Sequence, residues 1–458
     1  MSAVPTSSWV PSLDGEGPIY LRIVEAIETA RADGRLRPGE RLLPQRELCK
    51  KLGVDLTTVT RAFSEARRRH LIDAAAGRGT FVTATGTEEP LLDLGMIIPP
   101  APIGMNLPAL IREGIDGLLK RSSAEALLSY HPGSGSALER GAASSWLERN
   151  AGRTPLDRIV VGAGSQTLLT AVVLAMTSEG DAVLCDDLTY PGTIALVKGT
   201  GRTLCGVEAD ADGMRPDRLE RAARESGAKL LYLNPTFHNP TALVMPEKRR
   251  GEIAAVARRI GLVLVEDDPY GALISEPPPS FAALMPEATI HVATLSKCIS
   301  PFLRTAFLIG PDSRTTDRIA TMLRRITLMA PPLMTGLATE WIRSGLAGDI
   351  AAAIRAEVEA RQALARTILP PETSGHRQAL HLWLPLRDDE SASKIVETAR
   401  FRSLSVSADS DFATTENGPR GLRIALGAIR SRATLSQALT GLVAARSEPS
   451  GPRSAAFV

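Results

Sequence analysis

The sequence contains few cysteines, few aromatic residues and almost no net charge. Its four cysteines (Cys49, Cys185, Cys205 and Cys298) are widely spaced, which excludes a disulfide framework and a Cys-x-x-Cys metal site. The six histidines show no metal-ligand spacing, so no metal is predicted. The net charge of +2 neither favours nor excludes nucleic acid as a partner. No apolar run approaches the roughly 20 residues of a membrane span, and the first residues lack the apolar core of a signal peptide, which favours a cytoplasmic protein that does not span a membrane.

The length of 458 residues suggests two or three domains, since a domain usually has roughly 100–200 residues. With 44% hydrophobic and 23% charged residues, the composition is that of an ordinary globular protein. Small polar residues at 84–92 predict a linker. Ser, Pro, Gly and Ala dominate residues 446–458 and predict a disordered tail. These boundaries define an N-terminal domain at 12–83 and a C-terminal region at 93–445, with a smaller subdomain at about 340–445.

The N-terminal domain has the pattern of three helices followed by a hairpin. Apolar residues recur at helical spacing, with breaks at Gly34, Pro38-Gly39 and Gly53. Asp55 is placed to cap the third helix. The predicted helices span 18–33, 45–52 and 56–69, and the predicted short strands span 71–72 and 80–82. This order is typical of a winged helix-turn-helix, whose third helix enters the major groove of DNA.

Six stretches of this domain resemble, in order, the GntR family of DNA-binding domains. They are 18–20 (Pro-Ile-Tyr), 34–40 (Gly-Arg-Leu-Arg-Pro-Gly-Glu), 46–48 (Arg-Glu-Leu), 52–54 (Leu-Gly-Val), 58–63 (Thr-Val-Thr-Arg-Ala-Phe) and 77–82 (Gly-Arg-Gly-Thr-Phe-Val). The resemblance implies that double-stranded DNA is a partner and that five side chains face it: Arg46, Thr57, Thr58, Arg61 and Arg78. Residues 1–82 hold 13 Lys or Arg against 10 Asp or Glu, which leaves +3, a sign that suits phosphate contacts. The chain departs from the family at Asp55-Leu56, where Ser-Arg is common.

In the C-terminal region, short apolar runs alternate with helical patterns. Nearly continuous apolar runs are typical of strands in a mostly parallel sheet covered by helices on both faces, an α/β fold. The predicted strands span 159–162, 182–185, 229–233, 262–265 and 290–293. A cluster of polar residues follows each strand, and in such sheets ligands bind beyond the carboxyl ends of the strands. We therefore expect the clusters to converge on one binding site.

Lys297, in the cluster after the last of these strands, predicts chemistry with an aldehyde. A lysine amine forms an imine with pyridoxal 5'-phosphate (PLP), and hydroxyl groups and an arginine suit the phosphate of that cofactor. Ser296 and Arg304 supply such groups. A Ser-Lys pair alone is usually part of a surface loop, so this interpretation depends on the other clusters.

The other clusters supply the remaining groups of a PLP pocket. A carboxylate beside the pyridine nitrogen keeps that nitrogen protonated, and Asp267 is the candidate. Tyr270 and Asn239 are placed to reach the phenolic oxygen of the ring, and Tyr190 to stack on its face. The start of the helix after residue 162 offers free backbone N–H groups to a phosphate. The predicted phosphate-binding residues are Ser165, Gln166, Thr294, Ser296 and Arg304.

Residues 93–445 resemble the fold-type I aminotransferases, such as aspartate aminotransferase. Residues 239–242 (Asn-Pro-Thr-Ala) are similar to the Asn-Pro-Thr-Gly motif of those enzymes, and residues 267–270 (Asp-Asp-Pro-Tyr) to their Asp-x-x-Tyr motif. The stretch 296–304 is similar to their lysine segment. Ala242 replaces the usual glycine, and Thr294 replaces a serine while keeping a hydroxyl.

Two further residues take their roles from this resemblance alone. Tyr130, in Tyr-His-Pro-Gly-Ser-Gly, is similar to the tyrosine that reaches the phosphate of the neighbouring subunit. Arg423 is similar to the arginine that binds a substrate α-carboxylate by a bidentate pair, although an arginine at a strand end is also often a solvated charge. The resemblance therefore implies PLP as the cofactor and a homodimer as the working form.

The two halves together resemble the MocR subgroup of GntR regulators, over about residues 12–445. In that subgroup a winged helix-turn-helix is fused to an aminotransferase-like domain. The resemblance implies a PLP-dependent transcriptional regulator that senses an amino compound or PLP itself. Two alternatives stay open. Since every residue for transamination is present, the first alternative is a working aminotransferase with an accessory DNA-binding domain. The second alternative is a regulator whose pocket no longer binds PLP.

Overall fold

The computed structural model divides the 458-residue chain into two compact units, Met1–Leu91 and Leu92–Val458. The described residues are 9–13, 17–33, 35–36, 39–69, 71–75, 79–82, 91–121, 129–131, 133–415 and 418–448. The boundary between the units falls inside the predicted linker. Arg78, residues 84–90 of that linker and residues 449–458 of the predicted tail lie outside the described residues.

Three helices and a hairpin make up the first unit. They are α1 (Ile19–Ala32), α2 (Gln45–Leu52), α3 (Leu56–Arg68), β1 (Ile72–Ala75) and β2 (Gly79–Val82), and the two strands are antiparallel. Helix α2 stops at Gly53, whose φ of 65° is left-handed and suits glycine. Buried side chains from all five elements share one core, including Ile23, Leu48, Phe63 and Val82. The predicted winged helix-turn-helix is confirmed.

The second unit is built on a seven-stranded sheet in which one strand runs against the others. In order across the sheet, the strands are β4 (Ile159–Gly162), β12 (Ala306–Ile309), β11 (Thr289–Thr294), β10 (Val263–Asp268), β9 (Leu230–Leu233), β5 (Ala182–Asp186) and β6 (Thr203–Val207). Strand β12 is antiparallel to both of its neighbours, and the remaining pairs are parallel. The predicted mostly parallel sheet is confirmed.

Helices cover both faces of this sheet. Ile159 and Val161 pack in one buried cluster and Val160 in another, because successive side chains of a strand point to opposite faces. The helices up to the middle of the unit are α4 (Leu107–Arg121), α5 (Ala137–Ala151), α6 (Ser165–Met176), α7 (Pro191–Gly199), α8 (Pro216–Ser226), α9 (Glu247–Ile260) and α10 (Phe281–Leu284). They are followed by α11 (Ser313–Thr327), α12 (Pro332–Arg343) and the long α13 (Leu346–Ile368). Single turns of 3-10 helix occur at Leu156–Arg158, Pro301–Leu303 and Asp409–Asp411.

A smaller antiparallel sheet follows α13. Its strands are β13 (His381–Pro385), β16 (Gly421–Ala425) and β15 (Ser407–Ala408) in that order across the sheet. Two short pairs accompany it: β3 (Leu92–Asp93) with β14 (Leu404–Ser405), and β7 (Ala209–Asp210) with β8 (Gly213–Met214). The last two helices are α14 (Ala392–Phe401) and α15 (Arg432–Ser447). Helix α15 therefore continues two residues beyond 445, where the sequence places the start of a disordered tail, because Leu439, Leu442 and Ala445 are buried against the smaller sheet.

Within the described ranges, every helix is too short or too polar to cross a membrane.

Candidate cofactor site

A cavity of about 330 Å³ lies where the parallel strands of the second unit end. This volume is at the lower end of the range for small-molecule sites, about 300–1,000 Å³. Seven of the predicted residues line the cavity: Ser165, Tyr190, Asn239, Asp267, Tyr270, Lys297 and Arg423. The structure thus brings together residues that are up to 258 positions apart, because several elements of both the larger and the smaller sheet meet at this edge.

Asp267 lies at the end of β10 with 5% of its surface exposed. Its Oδ2 accepts a hydrogen bond of 2.7 Å from the Tyr232 hydroxyl. Its Oδ1 is buried and has no hydrogen-bond partner among the described residues. Burial raises the pKa of Asp267 to about 7, although the Tyr232 hydrogen bond acts against the rise. The carboxyl group therefore offers one free oxygen to a donor, and a positively charged donor favours its ionised form.

Lys297 follows β11 and lines the same cavity as Asp267. Its Nζ donates a hydrogen bond of 2.6 Å to the backbone carbonyl of Ile97. Burial and, to a smaller extent, the nearby Arg423 guanidinium lower the pKa of Lys297 to about 8, while Asp267 acts against both. The neutral, nucleophilic amine is therefore accessible near neutral pH, as imine chemistry requires.

Arg423, on β16, is buried at the wall of the cavity. One terminal nitrogen donates to Asn239 Oδ1 at 2.8 Å, and the other contacts the Gly95 carbonyl and, at 3.2 Å, Ser407 Oγ. The guanidinium carbon lies 4.7 Å from the centre of the Phe412 ring. Its Nε is buried with no partner within the described part of the chain. Arg423 therefore keeps donor capacity for an anion and positions Asn239 at the same time.

The start of α6 forms a concave surface beside Arg304. Gly164 precedes the helix with a φ of 95°, and an added Cβ there would lie 2.9 Å from a terminal nitrogen of Arg304. The same guanidinium donates to the Ala163 carbonyl at 3.3 Å. Ser165 is the first residue of the helix, so its backbone N–H has no acceptor inside the helix. Free N–H groups next to a guanidinium form a site for a phosphate dianion.

Five predicted residues lie outside the lining of the cavity: Gln166, Thr294, Ser296, Arg304 and Tyr130. Gln166 Nε2 donates at 3.0 Å to the carbonyl of Gly192, which does line it. Thr294 Oγ1 is 3.1 Å from Ser296 Oγ and 3.1 Å from the Thr305 carbonyl, so the two hydroxyls are tied to each other at the end of β11. Tyr130 is 76% exposed.

The predicted DNA-facing residues lie on two helices of the first unit. Thr57, Thr58 and Arg61 belong to α3 and Arg46 to α2, and all of these except the half-buried Thr58 are exposed. The Arg61 guanidinium lies over the Tyr20 ring at 4.0 Å, which orients it. Arg78 falls outside the described residues. Asp55 precedes α3, but its carboxylate makes no capping hydrogen bond to the described backbone, so the predicted cap is wrong and the charge stays exposed.

Tyr232 and Asn234 are site residues that the sequence analysis did not single out. Tyr232 holds Asp267, and Asn234 lines the cavity. Asn234 Nδ2 donates to the Asp267 carbonyl at 2.7 Å, and its Oδ1 accepts from the Asn239 N–H at 2.8 Å. A tyrosine inside the apolar run Leu-Leu-Tyr-Leu is the signal that was available, because a buried hydroxyl needs a partner.

Comparison with known families divides the chain in the same way as its structure. The family model "Aminotransferase class I and II" matches residues 100–441, and the model "Bacterial regulatory proteins, gntR family" matches residues 19–82. The first match covers well over half of the chain. The chain belongs to the class I and II aminotransferase family. Since its aminotransferase domain is fused to a GntR-family winged helix-turn-helix, the predicted MocR architecture is confirmed.

The relatives of this aminotransferase-family chain include regulators and enzymes. The HTH-type transcriptional regulator YdeF of Bacillus subtilis is 28% identical over 449 residues, which cover 94% of this chain and 95% of the relative. The vitamin B6 salvage pathway transcriptional repressor PtsJ of Salmonella typhimurium is 26% identical over 314 residues, or 66% of this chain and 70% of the relative. The 2-aminoadipate transaminase of Thermus thermophilus is 27% identical over 341 residues, or 71% and 84%.

A solved structure supports the fold of the aminotransferase domain. The α-aminoadipate aminotransferase LysN of Thermus thermophilus superimposes with a TM-score of 0.71 at 23% identity, covering 84% of this chain and 97% of that one. PLP is the cofactor of class I and II aminotransferases, so the predicted cofactor is confirmed.

The cavity of this chain fits PLP in two respects. The unpartnered Asp267 Oδ1 is a buried acceptor, and the protonated nitrogen of the pyridine ring is a donor of the matching charge. At the other end, the surface between Gly164 and Arg304 provides backbone N–H groups and a guanidinium for the phosphate. The residues present therefore suit both polar ends of the cofactor.

Proposed function

We propose that the protein is a PLP-dependent transcriptional regulator that acts on DNA in the cytoplasm. The observation that carries the proposal is the fusion of a GntR-family winged helix to an aminotransferase-family unit in one chain. The relative YdeF, named as a transcriptional regulator, matches 94% of the chain and therefore part of both units, and PtsJ, named as a transcriptional repressor, matches 66% of the chain. We further propose a homodimer, which presents two winged helices to two half-sites on DNA.

In this proposal Lys297 binds the cofactor. PLP supplies an aldehyde that joins a primary amine and a ring that withdraws electrons from it. The amine of Lys297 is nucleophilic when neutral, and its pKa of about 8 makes that form accessible. Asp267 would hold the proton on the pyridine nitrogen, with Tyr232 keeping the carboxylate in place. Tyr190 would pack on the ring, and Asn239 and Tyr270 would donate to its phenolic oxygen.

The phosphate is held by Ser165, Gln166, Thr294, Ser296 and Arg304, with Tyr130 contributed by the neighbouring subunit. Support for this assignment comes from the helix start and from the guanidinium beside Gly164. Thr294 and Ser296 act through the hydrogen bond between their hydroxyls, which positions the loop that carries Lys297. The exposed position of Tyr130 suits a residue that completes a second subunit's site.

The effector is an amino compound or PLP itself. An amino acid effector would present its amine to the aldehyde that PLP supplies and its carboxylate to Arg423, whose Nε has no partner among the described residues. Arg423 lies on the smaller sheet and Lys297 beside the larger one, so a ligand held by both connects two parts of the unit. The resulting shift in DNA affinity is limited by the ligand's differential affinity for the two states, typically about 1–3 kcal/mol.

DNA is bound by the first unit. We propose that Arg46, Thr57, Thr58 and Arg61 contact it from α2 and α3, and Arg78 from the predicted wing. Support comes from the exposure of Arg46, Thr57 and Arg61 and from the ring of Tyr20, which fixes the Arg61 guanidinium. The exposed Asp55 carboxylate repels phosphate, and it suits a cytosine amino group at the start of the recognition helix.

Fluorescence anisotropy on the DNA upstream of the protein's own gene tests the proposal. The full-length protein is titrated with and without PLP at near-physiological salt, beside an unrelated duplex. Binding of the upstream duplex about a thousandfold or more tighter than the unrelated one is expected. Arg61→Gln should weaken binding and reduce the dependence of log K on log salt by about one ion, while the exposed Arg343→Gln in the second unit leaves both unchanged.

Equal and weak binding of both duplexes contradicts the regulator. It favours the second candidate, a working aminotransferase. This candidate is supported by the similarity to 2-aminoadipate transaminase and by the lysine, carboxylate and arginine that line the cavity. Transfer of the amino group from an amino acid to a 2-oxo acid is then the decisive assay. Tight, PLP-dependent DNA binding without turnover supports the regulator.

A further inference from the structure

A second cavity, of about 250 Å³, lies on the other side of β10 from the cofactor cavity. Asp267 lines the cofactor cavity and Asp268 lines the second one, because successive side chains of a strand point to opposite faces. Helix α5 contributes Trp146 and Asn150, and helix α13 contributes Arg355. Of the residues that the proposed function uses, Thr294 alone lines this cavity.

Asp268 carries a buried oxygen that no described residue satisfies. The residue is 5% exposed, its Oδ2 accepts from Asn150 Nδ2 at 3.1 Å, and its Oδ1 has no hydrogen-bond partner. His291 Nε2, 4.0 Å from Oδ2, is also without a hydrogen-bond partner among the described residues. Leaving a buried acceptor unsatisfied is unfavourable, and more so when the acceptor is charged, so an occupant that donates to Oδ1 is favoured.

Arg355 supplies the opposite charge on the same cavity. It is half-buried on α13, and no described residue forms a hydrogen bond or an ion pair with its guanidinium. Arg149, the other cation at the cavity, donates to the carbonyls of Ile274 and Ser275 and is therefore already engaged. A free guanidinium binds a carboxylate in a bidentate pair.

We infer that the second cavity binds a small α-amino acid with an apolar side chain. Its ammonium group donates to Asp268 Oδ1, its carboxylate accepts from Arg355, and its side chain packs against Trp146 and Leu147. The cavity lies below the usual volume of sites for larger ligands, about 300–1,000 Å³, which excludes nucleotides. Glycine at 271 keeps the wall open, because a Cβ there would clash with Asn150 Nδ2 and Asp268 Oδ2.

This site is separate from the effector site of the proposed function and does not depend on it. Pro269 lines both cavities, and Thr294 and Cys298 of the second one flank Lys297. An amino acid bound there is thus held against the loop that carries the cofactor lysine. The amino acid is bound without chemical change, because its recognition involves only hydrogen bonds, ion pairs and packing.

Calorimetry on the full-length, PLP-loaded protein tests the inference. Treatment with borohydride first reduces the bond between PLP and Lys297, so that amines no longer exchange in the cofactor cavity. The probes are L-valine, 3-methylbutanoate, which lacks the amine, and 2-methylpropan-1-amine, which lacks the carboxylate. We expect L-valine to bind at one site per chain and each half-ligand to bind at least tenfold more weakly. Failure of L-valine to bind, or equal binding of a half-ligand, overturns the inference.

Variants locate the binding. Asp268→Asn and Arg355→Gln should each weaken L-valine at least tenfold, while Arg343→Gln, an exposed arginine on the neighbouring α12, leaves it unchanged. Arg423→Gln should also leave it unchanged; a loss there would assign the binding to the cofactor cavity instead and overturn the inference. If Asp268→Asn does not fold, Arg355→Gln on the partly exposed rim decides, since unaltered affinity in that variant contradicts the site.

Discussion

Replacing Tyr232 with phenylalanine tests whether Asp267 is tuned by a single hydrogen bond. The Tyr232 hydroxyl donates to Asp267 Oδ2 at 2.7 Å in a place where both side chains are at least 95% buried. The bond favours the ionised carboxylate and so opposes the rise of its pKa that burial causes. Tyr232→Phe removes this donor without adding bulk.

The size of the effect follows from the charge on the acceptor. A hydrogen bond to a charged group contributes about 1.5–3 kcal/mol, which corresponds to about 1–2 pKa units. The pKa of Asp267 should therefore rise from about 7 to roughly 8–9. At pH 7 the ionised fraction falls from about one half to between about one tenth and one hundredth, so affinity for PLP with a protonated ring nitrogen should fall about 5- to 50-fold. The loss should fade by about pH 10, where the carboxyl group is ionised in both proteins.

Fluorescence titration of the apoprotein with PLP between pH 6 and 10 measures this difference. Tyr20→Phe is the matched control, because Tyr20 belongs to the first unit and its ring contact with Arg61 is retained by phenylalanine. The Asp267 charge also acts on the pKa of Lys297, so the titration of the Lys297 amine cancels in the ratio of dissociation constants only near pH 10, where Asp267 is ionised in both proteins. A ratio near one at pH 7, or a loss that does not change with pH, would refute the assignment of Tyr232 as the residue that positions and tunes Asp267.

Two other predictions concern the same cavity. Asp267→Asn should weaken PLP binding yet stabilise the apoprotein at pH 8 by up to about 4 kcal/mol. The reason is that the pKa of Asp267 is raised from 3.8 to about 7 in the folded protein, so the stability of the wild type falls as the pH rises through that window. Urea unfolding should therefore show a smaller gain in stability at pH 5 than at pH 8. Lys297→Ala should abolish the absorbance band of the PLP–lysine linkage while the exposed Lys198→Ala keeps it; survival of the band would place the bond on another amine.

The fold was predictable because its signals are local and repeated. Apolar runs such as 159–162 and 262–265 are short and uninterrupted, which is what a strand buried on both faces requires. The polar residues that follow these runs converge because parallel strands end at one edge. Asp267 and Lys297, 30 positions apart in sequence, therefore meet in one cavity, as expected.

The rest depended on contacts that a sequence does not display. The partner of Tyr232 lies 35 positions away, and the side of the strand on which its hydroxyl emerges is decided by register. Asp55 is of a residue type that often caps helices, and it directly precedes α3, but its side chain makes no capping hydrogen bond to the described backbone. The predicted tail begins too early at 446, because the Arg446 guanidinium pairs with Glu390 and Glu372, which are 56 and 74 positions away in the sequence.

The pKa values of the two reactive groups of the cofactor cavity, Lys297 and Asp267, are both shifted toward 7, the first downward and the second upward. Burial lowers the pKa of Lys297 to about 8 and raises that of Asp267 to about 7, because removal from water disfavours a charge of either sign. In the apoprotein both groups therefore lie close to their titration points, and their charges change with small changes in surroundings. A cofactor that presents a cationic nitrogen to Asp267 and consumes the amine of Lys297 fixes both charge states at once. Occupancy of this one cavity thus alters the electrostatics of β10, of the loop after β11 and, through Arg423, of the smaller sheet, which are the parts whose arrangement a regulator must couple to its ligand.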